Sequence, residues 1–444
     1  MNVLTRLVLS ACVIPLLVAG CGGGGSGDRP ESVTSPNVDG TPSLNTIYTY
    51  QSTSNSEQIL SCSKLFLDSD SCDVTDIKPI GANITDNITL QDIKSRLVIS
   101  HDWMADNFIA ALEEINDQDL LNLFKALNTI VISYDIRPSF YHSNTASMYI
   151  DARYLWRNST EWEMIYKKDD FRNEYQTEFL FDTFLRYVDA SSNEYITWSN
   201  SYSATYNSRT SAQIAPGLFK LLSHELAHAN DFLPPELLST LGDSGKIYDD
   251  YIHPTVNINN ELSDALPLTS YLLFEAAQIA YGGADMTDQI RMASASEAGS
   301  AFDGDGAADL YGYSSPAEDV AMLFEAFMMY KKYGAVSDVA FVTIPTIDDD
   351  SCDDYLVKWG QRNRLADRNV KQRAIMVSSR ILARDITLEL SSISSSPIDM
   401  VTDIGWCSSR NLTTAVVSSE PVNRSYSSTH QEVVHDYKDD RGRD

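Results

Sequence analysis

Positive charge is scarce in this chain. Lys and Arg number 33 against 62 Asp and Glu over 444 residues, a formal net charge of -29 at pH 7. So acidic a surface repels polyanions, which argues against nucleic acid and an anionic membrane surface as partners. It fits an exported protein from a salty habitat, where acidic surfaces stay solvated. Histidine is also rare, with seven in the whole chain. The six cysteines include no C-x-x-C pair and are too scattered for a zinc knuckle. Beyond the first 20 residues no stretch is apolar enough to span a membrane. Internal repeats are absent, and so is a pro-segment with a cysteine switch. What is present is an ordinary globular composition, rich enough in Tyr, Phe, Leu and Ile for a large core. Its length allows two or three domains, or one core with insertions.

Arg6 precedes an apolar run from Leu7 to Ala19, too short for a mature spanning helix and typical of a signal peptide over residues 1–20. The run ends Leu17-Val18-Ala19-Gly20-Cys21, which resembles the bacterial lipobox; an ordinary signal peptide with a stray cysteine is the alternative. The resemblance implies that Cys21 carries the lipid anchor in the membrane. Gly22 behind it, in place of Asp, implies delivery to the outer membrane, facing the periplasm or the surface. Residues 21–45, Gly/Ser-rich and then Pro/Ser/Asp-rich, read as a flexible tether. With Cys12 lost with the signal and Cys21 lipidated, Cys62, Cys72, Cys352 and Cys407 remain. In an oxidising compartment these suggest two disulfides with three possible connectivities, of which Cys62–Cys72 with Cys352–Cys407 is the local choice.

Residues 46–98 read as a small polar N-terminal region, with a strand-like Ile47–Tyr50 piece and a Cys62–Cys72 loop. Helical patterning starts near Thr89 and strengthens after Ser100, a candidate N-cap. A second helix is predicted around Leu120–Leu127, then strands from Thr129 and over Met148–Asp151. Residues 156–198 are dense in aromatics and charge, a cleft wall or, more plainly, packing. A helix over Ala215–Asn230 is stopped by Pro234-Pro235. A mostly helical insert follows over about 236–290, and a further helix over Arg373–Asp385. The Ser/Thr- and charge-rich tail, 408–444, is predicted to be disordered.

The chemistry gathers at His224-Glu225-Leu226-Ala227-His228, an H-E-x-x-H with apolar residues Leu218, Phe219, Leu222 and Leu226 at helical spacing. Residues four apart stack on one helix face, so the two imidazoles can aim at one point. Glu225 reaches the edge of that point, where a carboxylate can take a proton from water. A zinc hydrolase needs these parts; the alternative is a buried helix with two satisfied histidines. Such a site wants a third protein ligand. Glu318 has the best context, yet Ser315-Pro316-Ala317-Glu318 is also a capping box at a helix start, and the two roles compete for one carboxylate. Glu261 and Glu275 are rival ligands. Asp231, one turn beyond His228, could accept the second imidazole N–H or simply be solvated at a helix end. Asp303, Asp305 and Asp309, in Asp303-Gly-Asp-Gly-Ala-Ala-Asp309, resemble a single calcium loop, with an Asp/Gly turn as the alternative.

These stretches resemble the gluzincin-type zinc metallopeptidases, and most closely the catalytic domain of anthrax lethal factor and its relatives. The H-E-x-x-H-x-x-D pattern falls on His224, Glu225, His228 and Asp231. The Y-G-x-x-x-x-A-E-x-x-A pattern falls on Tyr311, Gly312, Ala317, Glu318 and Ala321. The resemblance covers two short pieces of the chain. It implies zinc held by His224, His228 and Glu318, Glu225 as general base, and a Tyr311 hydroxyl (failing that, Tyr313) donating to the oxyanion or leaving group. It implies an α+β, zincin-like metallopeptidase domain over 99–407: a small mixed sheet with the active-site helix and a mainly helical C-terminal part. The strand ahead of the helix, Met148–Asp151, would then be the edge that pairs with an extended substrate. The chain departs from the pattern in the long insert after Pro235. It departs again at Met322, where an acidic residue is frequent; Glu325 on the same face is the substitute. The expected activity is that of a membrane-anchored zinc-dependent metalloendopeptidase, acting on proteins or peptides of the cell envelope or exterior. The rivals are a zinc hydrolase of cell-wall peptides and a non-catalytic envelope binding lipoprotein on a peptidase scaffold.

Overall fold

The computed structural model describes residues 41–84, 86–167, 175, 178–253, 257–346, 351–393 and 396–410. The signal peptide, Cys21, the tether as far as residue 40 and the tail from residue 411 lie outside the described residues. The architecture is mixed α+β.

The β-branched run Thr129–Ser133 forms strand β3, buried at every position, as a strand covered on both faces must be. Around it are β1 (Tyr48–Thr49), β2 (Leu97–Ile99), β4 (Phe140–His142) and β5 (Ser147–Asp151), in the order β1-β2-β3-β5-β4. The middle three are parallel, and β1 and β4 run antiparallel at the two edges. The sheet is mixed, as expected, but the edge is not where expected. Strand β5 is internal, because residues 140–142 fold back on it with Phe140 opposite Tyr149 and His142 opposite Ser147. The expected boundary at residues 98/99 has no counterpart in the packing. Strands β1 and β2 belong to this sheet, and one buried apolar cluster runs from Leu44 to Ile393. Nor does Ser100 cap the helix that follows it, Asp102–Ile115. His101 holds the cap position, and the Ser100 hydroxyl accepts the Tyr134 N–H at the end of β3 instead.

A second sheet was not expected. Strands β6 (Phe181–Asp189), β7 (Ala335–Thr343), β8 (Val357–Arg362) and β9 (Ile398–Asp399) pair in that order, all antiparallel. The part that follows the His224 helix is rich in helices, as expected, but also contributes β7, β8 and β9 to this sheet. Charges inside these strands hide the pattern: Arg186 on β6 and Asp338 on β7 suggest a solvated face, yet both are buried, 2.8 Å apart from Nε to Oδ2. Side chains alternate across this sheet. Phe181, Leu185 and Tyr187 join the main core, while Phe184 packs on the other side with Tyr355 and Trp406. The two disulfides are Cys62–Cys72 and Cys352–Cys407, the latter joining the segment before β8 to the Trp406 turn.

Two long helices pack against each other at the centre, Ser211–Phe232 and Pro316–Tyr333. A start at Ala215 would put Pro216 in the first turn, where proline is at home. The helix in fact begins a turn earlier, because Thr210 and Gln213 exchange side-chain and backbone hydrogen bonds in a capping box. It ends just before Pro234, as expected. The insert is helical, with Ile258–Ala265 and Tyr271–Gly282 its longer pieces. The Arg373 helix spans Arg368–Ile381. The aromatic stretch is packing at its described positions: Trp156 is buried against Trp162, Tyr202 and Tyr206, with the Arg209 guanidinium 4.0 Å above its ring. Among the described residues, no helix is long and apolar enough to cross a membrane.

Candidate metal centre

The long central helix buries every residue from Leu221 to Asp231, so His224 and His228 leave it into the interior. The facing helix starts at Pro316, and Ser315 caps it by accepting the Glu318 N–H at 3.2 Å. Only that half of the capping box forms. The Glu318 carboxylate turns to the histidines: Oε2 lies 3.0 Å from His224 Nε2 and 3.2 Å from His228 Nε2, and the two Nε2 atoms are 3.3 Å apart. Of the groups of His, Cys, Asp and Glu among the described residues, this is the one gathered closely enough to hold a metal ion. Tetrahedral zinc with bonds of about 2.0–2.2 Å keeps its ligand atoms about 3.3–3.5 Å apart. The three atoms stand at nearly that spacing, and two imidazoles with one carboxylate suit a borderline divalent cation. The Glu318 side chain is 19% exposed, against 4% for His224, so the group is reached from the Glu318 side.

Burial and charge compete at these side chains. Burial opposes charge on Glu318, but the His228 charge and hydrogen bonds from both imidazoles hold its carboxyl well below the ordinary range. Burial likewise opposes an imidazolium at His224. Glu318, Glu325 and the nearby Glu225 charge outweigh it and raise the His224 pKa well above the usual value.

Glu225 is buried next to His224. The Tyr311 ring lies parallel to the His224 imidazole, centroids 5.9 Å apart, and Tyr281 of the insert packs edge-on against it at 4.7 Å. Tyr311 is thus at the site. Tyr313 is not: its ring packs on Phe274, and its pKa is raised by burial and by Asp305 beside its hydroxyl. Glu325 lies fully buried behind His224, its Oε2 3.6 Å from Nδ1. Met322 is buried within the same helix.

The other sequence-derived candidates go elsewhere. Asp231 does not back His228. Its Oδ1 accepts the Asn259 N–H at 2.8 Å and its Oδ2 the Asn259 side-chain N–H at 2.5 Å. The free N–H groups at the start of the Ile258–Ala265 helix claim this carboxylate. Glu261 pairs with Arg380 through two contacts of 2.9 and 3.0 Å, and Glu275 is not among the gathered ligands. The three calcium candidates diverge. Asp303 accepts from Gln361, Asp305 from the backbone of Thr269, Ser270 and Gly306, and Asp309 from the Gly312 N–H. Asp309 instead lies close enough to Glu325 and His224 to feel both charges, and burial with the Glu325 charge pushes its pKa up to about 7. Sequence reading missed Tyr281 and Tyr187, the latter donating to Glu325 Oε1 at 2.8 Å. Both come from elements whose approach to the centre has no local signature. Compared with families of known proteins, with curated individual proteins and with solved structures, the chain matches none.

Proposed function

We propose that this chain is a zinc-dependent metalloendopeptidase of zincin-like type, anchored in the bacterial envelope through Cys21. The observation that carries the reading is the gathering of His224 Nε2, His228 Nε2 and Glu318 Oε2 within 3.0–3.3 Å beside a buried Glu225. His224, His228 and Glu318 would hold the zinc. When bound, zinc lowers the pKa of its water towards 7 and polarises a carbonyl. Glu225, adjacent to a ligand on the same helix, accepts the proton of the attacking water and returns it to the leaving amine. Tyr311, stacked along His224, supplies the donor for the charge that develops on the carbonyl oxygen. The substrate is a protein or peptide of the envelope or exterior. The antiparallel edge strand β4, which the central helix also contacts, is the edge an extended peptide would extend.

The test measures zinc content and cleavage of a peptide library for the wild type and for Glu225→Gln. We expect one zinc per chain in both, and a loss of roughly 10²–10⁴-fold in rate in the variant. Undiminished cleavage by Glu225→Gln overturns the mechanism. A chain purified without zinc and indifferent to chelators points to the non-catalytic binding protein. Release of fragments from purified sacculi, with casein left intact, points to cell-wall peptides.

A further inference from the structure

The metal helix and the Glu318 helix belong to the main core, but the group behind His224 leads into the second sheet. Glu325 is fully buried on the Glu318 helix, with one oxygen 3.6 Å from His224 Nδ1 and the other accepting the Tyr187 hydroxyl at 2.8 Å. Tyr187 projects from β6, beside the residue that anchors that strand on its opposite face. There Arg186 pairs with Asp338, donates to the Trp406 carbonyl at 2.8 Å, and lies 3.8 Å above the Trp406 ring. We propose that Tyr187 is a positioning residue of the metal centre, acting through Glu325 to fix the orientation of the His224 imidazole.

The argument is one of proton placement. For Nε2 of His224 to serve as a ligand it must be free of hydrogen, so the ring proton sits on Nδ1. Glu325 Oε2 is the carboxylate oxygen that faces that proton. At 3.6 Å it attracts the N–H without yet forming a good hydrogen bond. A carboxylate held at a single oxygen can swing, and the Tyr187 bond on Oε1 decides which way Oε2 points. Acceptors behind ligating histidines set both the tautomer and the basicity of the ligand. Here that acceptor is steadied by a strand from another sheet, itself locked by a buried ion pair.

The inference rests on the reading that His224, His228 and Glu318 hold a metal, so zinc binding by the wild type is measured first. Zinc affinity is then obtained by competition with a chromogenic chelator for the wild type, Tyr187→Phe, Glu325→Gln and the double variant, alongside melting temperatures of the metal-free proteins. We expect affinity about 10–100-fold weaker in Glu325→Gln, a smaller but clear loss in Tyr187→Phe, and no further loss when Tyr187→Phe is added to Glu325→Gln. That non-additivity is the signature of one residue acting through the other, and a merely structural tyrosine would not give it. Should Glu325→Gln fail to fold, Tyr187→Phe decides alone. Wild-type zinc affinity in Tyr187→Phe, or equal losses in the presence and absence of Glu325, overturns the proposal. A wild type that binds no zinc overturns the functional reading instead.

Discussion

Glu318 meets His224 at 3.0 Å although 94 residues separate them in sequence. The contact decides between two uses of one carboxylate, since an acid three residues after an N-cap serine ordinarily returns to the backbone of that serine. The helix keeps its serine cap and releases the glutamate to the histidines.

Ligand removal therefore separates the candidates cleanly. Replacing His224, His228 or Glu318 by Ala should weaken zinc binding by more than about 100-fold, beyond the loss typical of groups that only support ligands. Glu261→Ala should leave it unchanged, because that carboxylate is held by Arg380. Equilibrium dialysis with mass-spectrometric metal counting checks both. Strong retention by Glu318→Ala would return Glu275 to contention.

Metal binding should also stabilise the fold, because the unfolded chain presents no assembled site. Free zinc at 100 times its dissociation constant adds about 2.7 kcal/mol, worth a few degrees in melting temperature for a chain of this size. Scanning calorimetry with and without a chelator should show that rise in the wild type and lose it in Glu318→Ala.

The parts legible in the sequence are those set by neighbours along the chain. The His224–His228 pair follows from helical spacing, the helix stop from two prolines, and strand β3 from a β-branched run. The second sheet was not legible, because Arg186, Asp338 and Arg362 interrupt its apolar pattern. They are buried through ion pairs with one another and through hydrogen bonds to the Trp406 turn and Arg410, which arrive from far along the chain. The partner of Asp231 was equally hidden, since Asn259 arrives from the insert. The clustering of Asp303, Asp305 and Asp309 in sequence suggested one site, but Asp305 caps the backbone of the insert while Asp309 accepts from the Gly312 N–H.

A buried ion pair holds the start of the Glu318 helix. Asp319 Oδ1 accepts from Arg373 at 2.9 Å, a second contact joins Asp319 Oδ2 to the other guanidinium nitrogen, and the same guanidinium donates to the Gly306 carbonyl. Burial pushes the Asp319 pKa up to about 6 even against the nearby positive charge of Arg373. Arg373→Met should therefore cost about 3–5 kcal/mol, the penalty for leaving a buried charge without its partner. Adding Asp319→Leu should recover much of it. Urea unfolding of the single and double variants tests this, and a cost below about 1 kcal/mol for Arg373→Met would show that Asp319 accommodates the loss.

Asp231 gives the fold a pH dependence of defined sign. Burial raises its pKa to about 6 from an ordinary 3.8, with the Asn259 hydrogen bonds and the His228 charge offsetting only part of the effect. A folded-state pKa above the unfolded one means that the folded chain binds more protons between pH 3.8 and about 6. Its contribution is therefore most favourable below that window and is lost as pH rises through it. A shift of about two units corresponds to roughly 3 kcal/mol. Asp231→Asn keeps an acceptor for the Asn259 N–H but does not titrate. Urea unfolding of the metal-free protein from pH 4 to pH 7 should show the wild type losing more stability than Asp231→Asn as pH rises. Parallel curves for the two proteins would mean that Asp231 ionises in the folded state as it does in the unfolded chain.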